Sequence, residues 1–263
     1  MLQISCWNVN SVKIRADSVK KLLQQYSPDF LLLQELKCEE NVFPFEVFED
    51  LNYNISLKCQ KSYNGVAILS KHIIDEIKYD FPNNPCSDEA RFIEVASQTA
   101  LGYCRVICVY VPNGGTSNER YDVKLEFLKA LKEYLVSIAN NDEFLIIGGD
   151  FNVAPEELDV HDATSLMDEV CFTPPERRAM RAILNNNLVD LFRIKNPNLK
   201  QFTWWDYRAG AYQKNQGMRI DFLLSNYKLL KYFDSFNVAH NFRSNDRPSD
   251  HVPIFASFSL NAL

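Results

Sequence analysis

Gln3-Ile4-Ser5-Cys6-Trp7-Asn8, followed by Val19, Leu22, Leu23 and Tyr26 at helical spacing and then by Phe30-Leu31-Leu32-Leu33-Gln34-Glu35, is the stretch that decides the fold class. Residues 3–8 read as a strand, 18–26 as a helix and 30–34 as a second strand, which makes a βαβ-like opening. Outward from it the chain alternates without repeats or low-complexity segments. Strands are expected at 53–57, 65–70, 92–97 and 105–111, and a helix at 122–138 carries Leu125, Leu128, Leu131 and Leu135. The strand at 144–148 opens a second half. Pro174-Pro175-Glu176 begins a helix that runs to about residue 185, because proline suits a first turn and glutamate suits the positive helix end. Further strands are expected at 202–207, 220–225, 233–239 and 254–260. No Gly/Ser/Pro linker or charge block separates the halves, so residues 1–263 read as one domain. Two sheets packed face to face, with helices outside, would bury this many strands.

Bulk properties limit the function classes. With 263 residues, 46% hydrophobic and 24% charged, the chain can build a large core. Its start lacks the basic and long apolar regions of a signal peptide, and no stretch approaches the roughly 18 apolar residues of a membrane span. A soluble, cytoplasmic protein without membrane contact is expected. Seven cysteines, an odd number with no Cys-x-x-Cys pair, read as buried reduced thiols rather than zinc ligands or disulfides. A net charge of −6 does not exclude a nucleic-acid partner, since a locally basic face can still contact phosphates.

The candidate chemistry lies where apolar runs end. Glu35 follows a buried run, where an isolated carboxylate is costly without a partner such as a cation; the alternative is an exposed strand-end glutamate. Asn8 ends the first strand, where asparagine also serves merely to satisfy turn backbone. In Gly148-Gly149-Asp150-Phe151-Asn152 the glycines permit a tight turn, and Asp150 and Asn152 alternate onto one side. Asp150 can deprotonate water and Asn152 can donate to a phosphoryl oxygen, unless the segment is simply an Asx-turn. Asp250 and His251 are adjacent and point opposite ways along an extended chain, toward different partners; a surface turn is the bland reading. Asp221, at the start of another buried run, is placed to orient His251. Hard oxygen ligands, amides and an imidazole are the mixture that a Mg²⁺-dependent phosphodiester hydrolase requires.

Trp7-Asn8-Val9-Asn10, Leu33-Gln34-Glu35-Leu36-Lys37, Tyr110-Val111-Pro112-Asn113-Gly114, Gly149-Asp150-Phe151-Asn152, Arg219-Ile220-Asp221 and Ser249-Asp250-His251 occur in this order over nearly the whole chain. Together they resemble the motifs of the endonuclease/exonuclease/phosphatase superfamily. With Phe202-Thr203-Trp204-Trp205-Asp206-Tyr207-Arg208 and Gly217-Met218 added, the chain is similar to the exonuclease III type of abasic-site endonuclease within it. The resemblance implies a four-layered α/β sandwich, two packed mixed β-sheets flanked by helices, with the site at the strand ends. It implies Mg²⁺, with Mn²⁺ as a substitute, on Glu35 with help from Asn8 and with Asp250 near the metal. It further implies that Asp150 activates water, that Asn152 and Tyr110 contact the scissile phosphate, and that His251 paired to Asp221 stabilises charge on phosphorus.

The implied reaction is hydrolysis of the phosphodiester 5′ to an abasic site in duplex DNA. Removal of nucleotides from 3′ ends and of 3′-blocking groups, by a monomer, is implied as well. Trp204, Met218 and Ile220 match the family's pocket for an extruded base-less sugar; Met218 stands where some relatives place a bulky aromatic, and Asn10 where relatives can carry aspartate. Arg15, Lys61, Arg91, Lys124, Arg177, Arg178, Arg181 and Arg208 are the candidate phosphate contacts, each with the alternative of a solvated surface charge. Two other readings are a same-fold phosphatase acting on a non-nucleic-acid phosphoester, and a non-catalytic DNA-binding protein.

Overall fold

The structure, a computed structural model, describes residues 1–139 and 141–260. β1 (Leu2–Asn8), α1 (Val12–Tyr26) and β2 (Phe30–Gln34) open the chain. The helix begins earlier than its apolar spacing predicts, because Val12, Arg15 and Ala16 are buried too. α2 (Phe45–Phe48), β3 (Asn54–Lys58), β4 (Val66–Ser70), β5 (Glu76–Lys78), β6 (Phe92–Thr99) and β7 (Gly102–Tyr110) follow. Next come α3 (Asn118–Ile138), β8 (Phe144–Asp150), α4 (Pro174–Leu184), β9 (Leu188–Asp190) and α5 (Leu191–Lys195). β10 (Asp221–Asn226), α6 (Tyr227–Leu230), β11 (Phe233–Val238) and β12 (Ile254–Phe258) complete the described elements.

The strands form two six-stranded sheets, ordered β11-β12-β1-β2-β4-β3 and β5-β6-β7-β8-β10-β9. Both are mixed: β1 and β2 run parallel in one, β7 and β8 in the other, and their neighbours are antiparallel. The two-residue period of a strand explains why the central runs are apolar throughout. Ile4, Cys6, Phe30 and Leu32 meet Val106, Cys108, Ile146 and Leu223 between the sheets. The alternate residues Leu31 and Leu33 face outward onto Val19, Leu22 and Leu23 of α1. On the far side Ile107, Val109, Leu145 and Ile147 pack on Phe127 and Leu131 of α3 and Met180 and Ile183 of α4. Each such side chain contributes about 1.5–3 kcal/mol by leaving water. The result is the expected four-layered sandwich.

Local signals set the element ends. Thr173 caps α4 in a reciprocal box with Glu176, with Pro174 in the first turn. Gly148 faces the layer between the sheets, where a Cβ would lie 2.7 Å from Leu223 Cδ2 and 2.9 Å from Leu32 Cδ2. At Gly149 it would lie 1.9 Å from the Val109 carbonyl oxygen. The glycine pair therefore lets β8 approach both neighbours up to Asp150.

One expected strand is absent. Residues 202–207 form isolated bridges, Trp204 with Met218 and with His251, because this run crosses the end of the sandwich instead of joining a sheet. Thr203 Oγ1 accepts from the backbone N–H groups of Ile220 and Asp221, and Trp205 N–H donates to the Asp250 carbonyl. The cysteines are unpaired, and all but the half-buried Cys59 are buried. No helix among the described residues is long and apolar enough to cross a membrane.

Candidate active site

Strand register gathers the chemistry at one end of the sandwich. In the second sheet Tyr110 pairs with Asp150, and Asp150 with Asp221. Directly opposed residues share a sheet face, so these side chains form a row facing the first sheet. From that sheet, Asn8 pairs with Gln34, and Glu35 follows immediately. Asn10, Glu35, Lys37, Asn152 and Cys171 all hold positive φ, from 44° to 76°. A non-glycine residue in that region costs on the order of 1 kcal/mol, and such strain collects at functional sites.

Of these residues, Glu35, Tyr110, Asp150, Asn152 and Cys171 line a cavity of about 350 Å³, together with Asn113, Trp204, Met218, Ile220, Asp250 and His251 among others. Tyr110 donates its hydroxyl to Glu35 Oε1 at 2.9 Å. The Asn8 amide nitrogen donates to Glu35 Oε1 at 2.8 Å and to Asp150 Oδ2 at 2.9 Å. On the far oxygen of Glu35 sits the Lys37 ammonium at 2.6 Å, which also donates to Asn10 Oδ1. His251 presents Nδ1 to Asp221 Oδ2 at 2.8 Å, leaving Nε2 3.7 Å from Asp150 Oδ2.

Burial and charge oppose each other here. Burial pushes the Asp150 carboxyl up to about 7, with Asp221 and Glu35 adding to the rise and His251 opposing it. For His251 burial acts downward, but Asp221 and Asp150 outweigh it and raise the imidazole to about 10, so it is an imidazolium at neutral pH. Burial also raises the Glu35 carboxyl, yet Lys37 and the Asn8 amide leave it below its ordinary value. Burial, reinforced by Glu35 and Asp150, holds the Tyr110 phenol well above its ordinary value and therefore neutral.

Ligand atoms of Glu35, Asp150 and His251 all lie within 4.8 Å of one another, close enough to hold a metal ion. The two carboxylates suit a hard divalent cation. Asn8 turns its nitrogen, not its oxygen, toward both carboxylates and so ties them together. Asp250 lines the cavity but stands outside the cluster: Trp204 Nε1 and Asn10 Nδ2 donate to it at 3.0 and 2.9 Å. Burial raises the Asp250 carboxyl, and His251 with those two donors brings it below its ordinary value.

The basic residues need the largest correction. Arg15, Arg91 and Lys124 are buried and face protein, not solvent. Arg15 donates to Tyr207 and to the Pro248 carbonyl, both at 2.9 Å. Arg91 pairs with Glu89, stacks on the Tyr110 ring with its guanidinium carbon 4.8 Å from the centroid, and donates to the Tyr110 carbonyl. It lies behind the cavity wall, because a guanidinium can pack flat on an aromatic face while its fork satisfies buried acceptors. Arg177 stacks on Phe172 and donates to Pro155, and Arg181 pairs with Glu156. Arg208 lines the cavity with its side chain 88% exposed, and Lys61 and Arg178 are exposed elsewhere.

Asn152 leaves strand geometry, so the expected alternation with Asp150 does not operate; its N–H instead donates to Asp150 Oδ1 at 2.9 Å. Asn113, whose Nδ2 donates to Asn152 Oδ1 at 3.0 Å, and Cys171 also line the cavity. Asn113 was marked only by its motif, and nothing in the sequence marks Cys171.

A cation entering beside Glu35 must displace the proton that Asp150 holds below about pH 7. Affinity for a divalent cation is therefore expected to rise about tenfold per pH unit up to that value and then level off. Calorimetric titration between pH 5.5 and 8.5 checks this, and an affinity flat across the acid range would contradict it.

Residues 6–251 match the Endonuclease/Exonuclease/phosphatase family. Exodeoxyribonuclease III of Haemophilus influenzae is 31% identical over 261 residues, with 96% of this chain and 98% of that protein aligned. The solved AP endonuclease of Archaeoglobus fulgidus superposes with a TM-score of 0.92 at 35% identity, covering 99% of this chain and 100% of that one. The 3′ phosphatase NExo from Neisseria, bound to a product DNA hairpin, gives 0.93 at 31% identity, over 98% of this chain and 100% of that one. With the matched span running from the first strand to His251, the chain belongs to the endonuclease/exonuclease/phosphatase family.

Proposed function

We propose that this chain is a DNA repair nuclease that hydrolyses the phosphodiester 5′ to abasic sites in duplex DNA. Removal of nucleotides and blocking phosphates from 3′ ends belongs to the same site, because the reacting phosphorus group is the same. The observation that carries the reading is Glu35, Tyr110, Asp150 and His251 together in a cavity walled by Trp204, Met218 and Ile220, with Asp221 behind His251. Nuclease names among the aligned relatives support the choice of phosphoester.

Glu35 would hold Mg²⁺, or Mn²⁺ in its place, next to Asp150, and the bound ion would neutralise phosphate charge and acidify a water. Asp150, as a carboxylate, accepts the proton of the attacking water. Tyr110, whose phenol stays neutral, donates a hydrogen bond instead. The His251 imidazolium offers Nε2–H to a phosphoryl oxygen while Asp221 holds the ring. Asn152 keeps one amide hydrogen on the Val111 carbonyl and has its oxygen capped by Asn113, which leaves the other hydrogen for phosphate.

Trp204, fixed by Asp250, closes with Met218 and Ile220 a seat for a sugar without its base. An intact nucleotide would pay a few kcal/mol of unpairing and unstacking and still carry a base to accommodate. Arg208, exposed in the lining of the cavity, is the basic residue placed to meet the duplex beside the site. We assign the protein to the cytoplasm and expect it to act as a monomer.

A duplex oligonucleotide with one abasic-site analogue, beside an undamaged duplex, is the direct test. Incision 5′ to the analogue, leaving a 3′-hydroxyl and abolished by EDTA, is expected. A folded protein that leaves both duplexes intact and releases phosphate from inositol phosphates would replace this reading with the same-fold phosphatase.

A further inference from the structure

Lys124 and Glu176 form an ion pair in which neither side chain has any exposure. Such a pair is weak evidence of stability, since its desolvation offsets most of its attraction and an apolar pair packs as well. Its hydrogen bonds point elsewhere. Lys124 Nζ donates to the Asn152 carbonyl at 2.7 Å, to the Asn113 carbonyl at 2.9 Å and to Glu176, which accounts for all the hydrogens of an ammonium group. Glu176 in turn accepts from the Cys171 N–H at 3.1 Å, the Thr173 N–H at 3.0 Å and Thr173 Oγ1 at 2.7 Å. One pair thus ties α3 to α4 and pins the segments after β7, after β8 and before α4.

Those segments carry Asn113, Asn152 and Cys171, all in the cavity wall. Asn152 and Cys171 hold positive φ, at 50° and 76°, so their conformations persist only where the surroundings over-determine them. Gly114 makes room for the device: at φ +84° its absent Cβ would lie 2.9 Å from Lys124 Cδ.

We propose that Lys124, with Glu176, is a positioning residue that sets the Asn152 amide, and the Asn113 amide that caps it, for contact with the scissile phosphate; the kinetic part rests on the function proposed above. The Lys124→Gln variant is expected to lose about tenfold or more in kcat with KM within about twofold, and less than about threefold when added to Asn152→Ala. A purely structural role predicts the same factor in both backgrounds, and that additivity would overturn the proposal. If the single variant does not fold, Lys124→Met with Glu176→Gln removes both charges and is measured in the same cycle.

An independent readout separates this inference from the choice of substrate. In amide-correlation NMR spectra of the metal-free protein, the Asn152 and Asn113 side-chain resonances are expected to shift or broaden in the folded Lys124 variant. Resonances of β3 and β11 are expected to stay in place. Unmoved Asn152 and Asn113 signals would refute the positioning role whatever the enzyme cleaves, whereas absence of DNA incision by the wild type with those signals displaced would refute only the proposed substrate.

Discussion

Asp150→Asn is expected to lower kcat on an abasic-site duplex by about 10²–10⁴-fold, the contribution of a positioned general base. The amide is nearly isosteric, so it can still accept from the Asn152 N–H. It cannot accept a proton, and its NH₂ would face the donors Asn8 Nδ2 and His251 Nε2, which the carboxylate oxygen now meets. Stability should move the other way. The folded Asp150 carboxyl lies near 7 against an ordinary value of 3.8, so in metal-free protein the wild type loses stability as pH rises from about 4 to 7. Asparagine escapes that loss. In EDTA the variant should melt above the wild type at pH 8, by a margin that narrows as pH falls toward 4. Lost activity beside raised stability would separate a chemical role from damage to the fold. Activity within tenfold of wild type would remove Asp150 from the role of base.

The layers were legible because burial on both faces leaves an unmistakable record. Phe30-Leu31-Leu32-Leu33 and Phe144-Leu145-Ile146-Ile147 are apolar at every position, and only a strand between two layers needs that. Short edge strands were not legible: β5, with all three residues exposed, has no core-facing pattern to detect. Residues 202–207 misled for the opposite reason, since an aromatic run that walls a cavity has the same composition as a strand that fills a core. At the site, Asp250 and His251 follow a polar stretch and read as an adjacent acid and imidazole within a motif, whereas Glu35 and Asp150 announced themselves by following buried runs. The basic residues did not, because sequence cannot tell a guanidinium folded back onto Tyr110 or Pro248 from one facing a phosphate. Cys171 and Lys37 reach the site through left-handed backbone turns that no local pattern specifies.

Asp221→Asn is expected to cost about 10²–10³-fold in kcat at neutral pH, comparable to removing a transition-state hydrogen-bond donor. Asp221 never reaches the cavity; its effect must pass through His251, and the pH profile can expose that path. Burial alone pushes His251 down, and Asp221 is the foremost group that pulls it back up to about 10. In the wild type the imidazolium persists through neutrality, so the alkaline limb of the rate should fall only toward pH 10. Without the Asp221 charge, burial is opposed chiefly by Asp150, and the imidazolium should survive only to a lower pH. The variant's rate should therefore recover toward wild type as pH is lowered and fall early as it is raised. His251→Gln, which has no proton to lose, should be low at every pH on this limb. A variant at Asp221 that is slow but keeps the wild-type alkaline limb would mean that the aspartate fixes the ring's orientation alone, and that the charge on His251 is not what the phosphate meets.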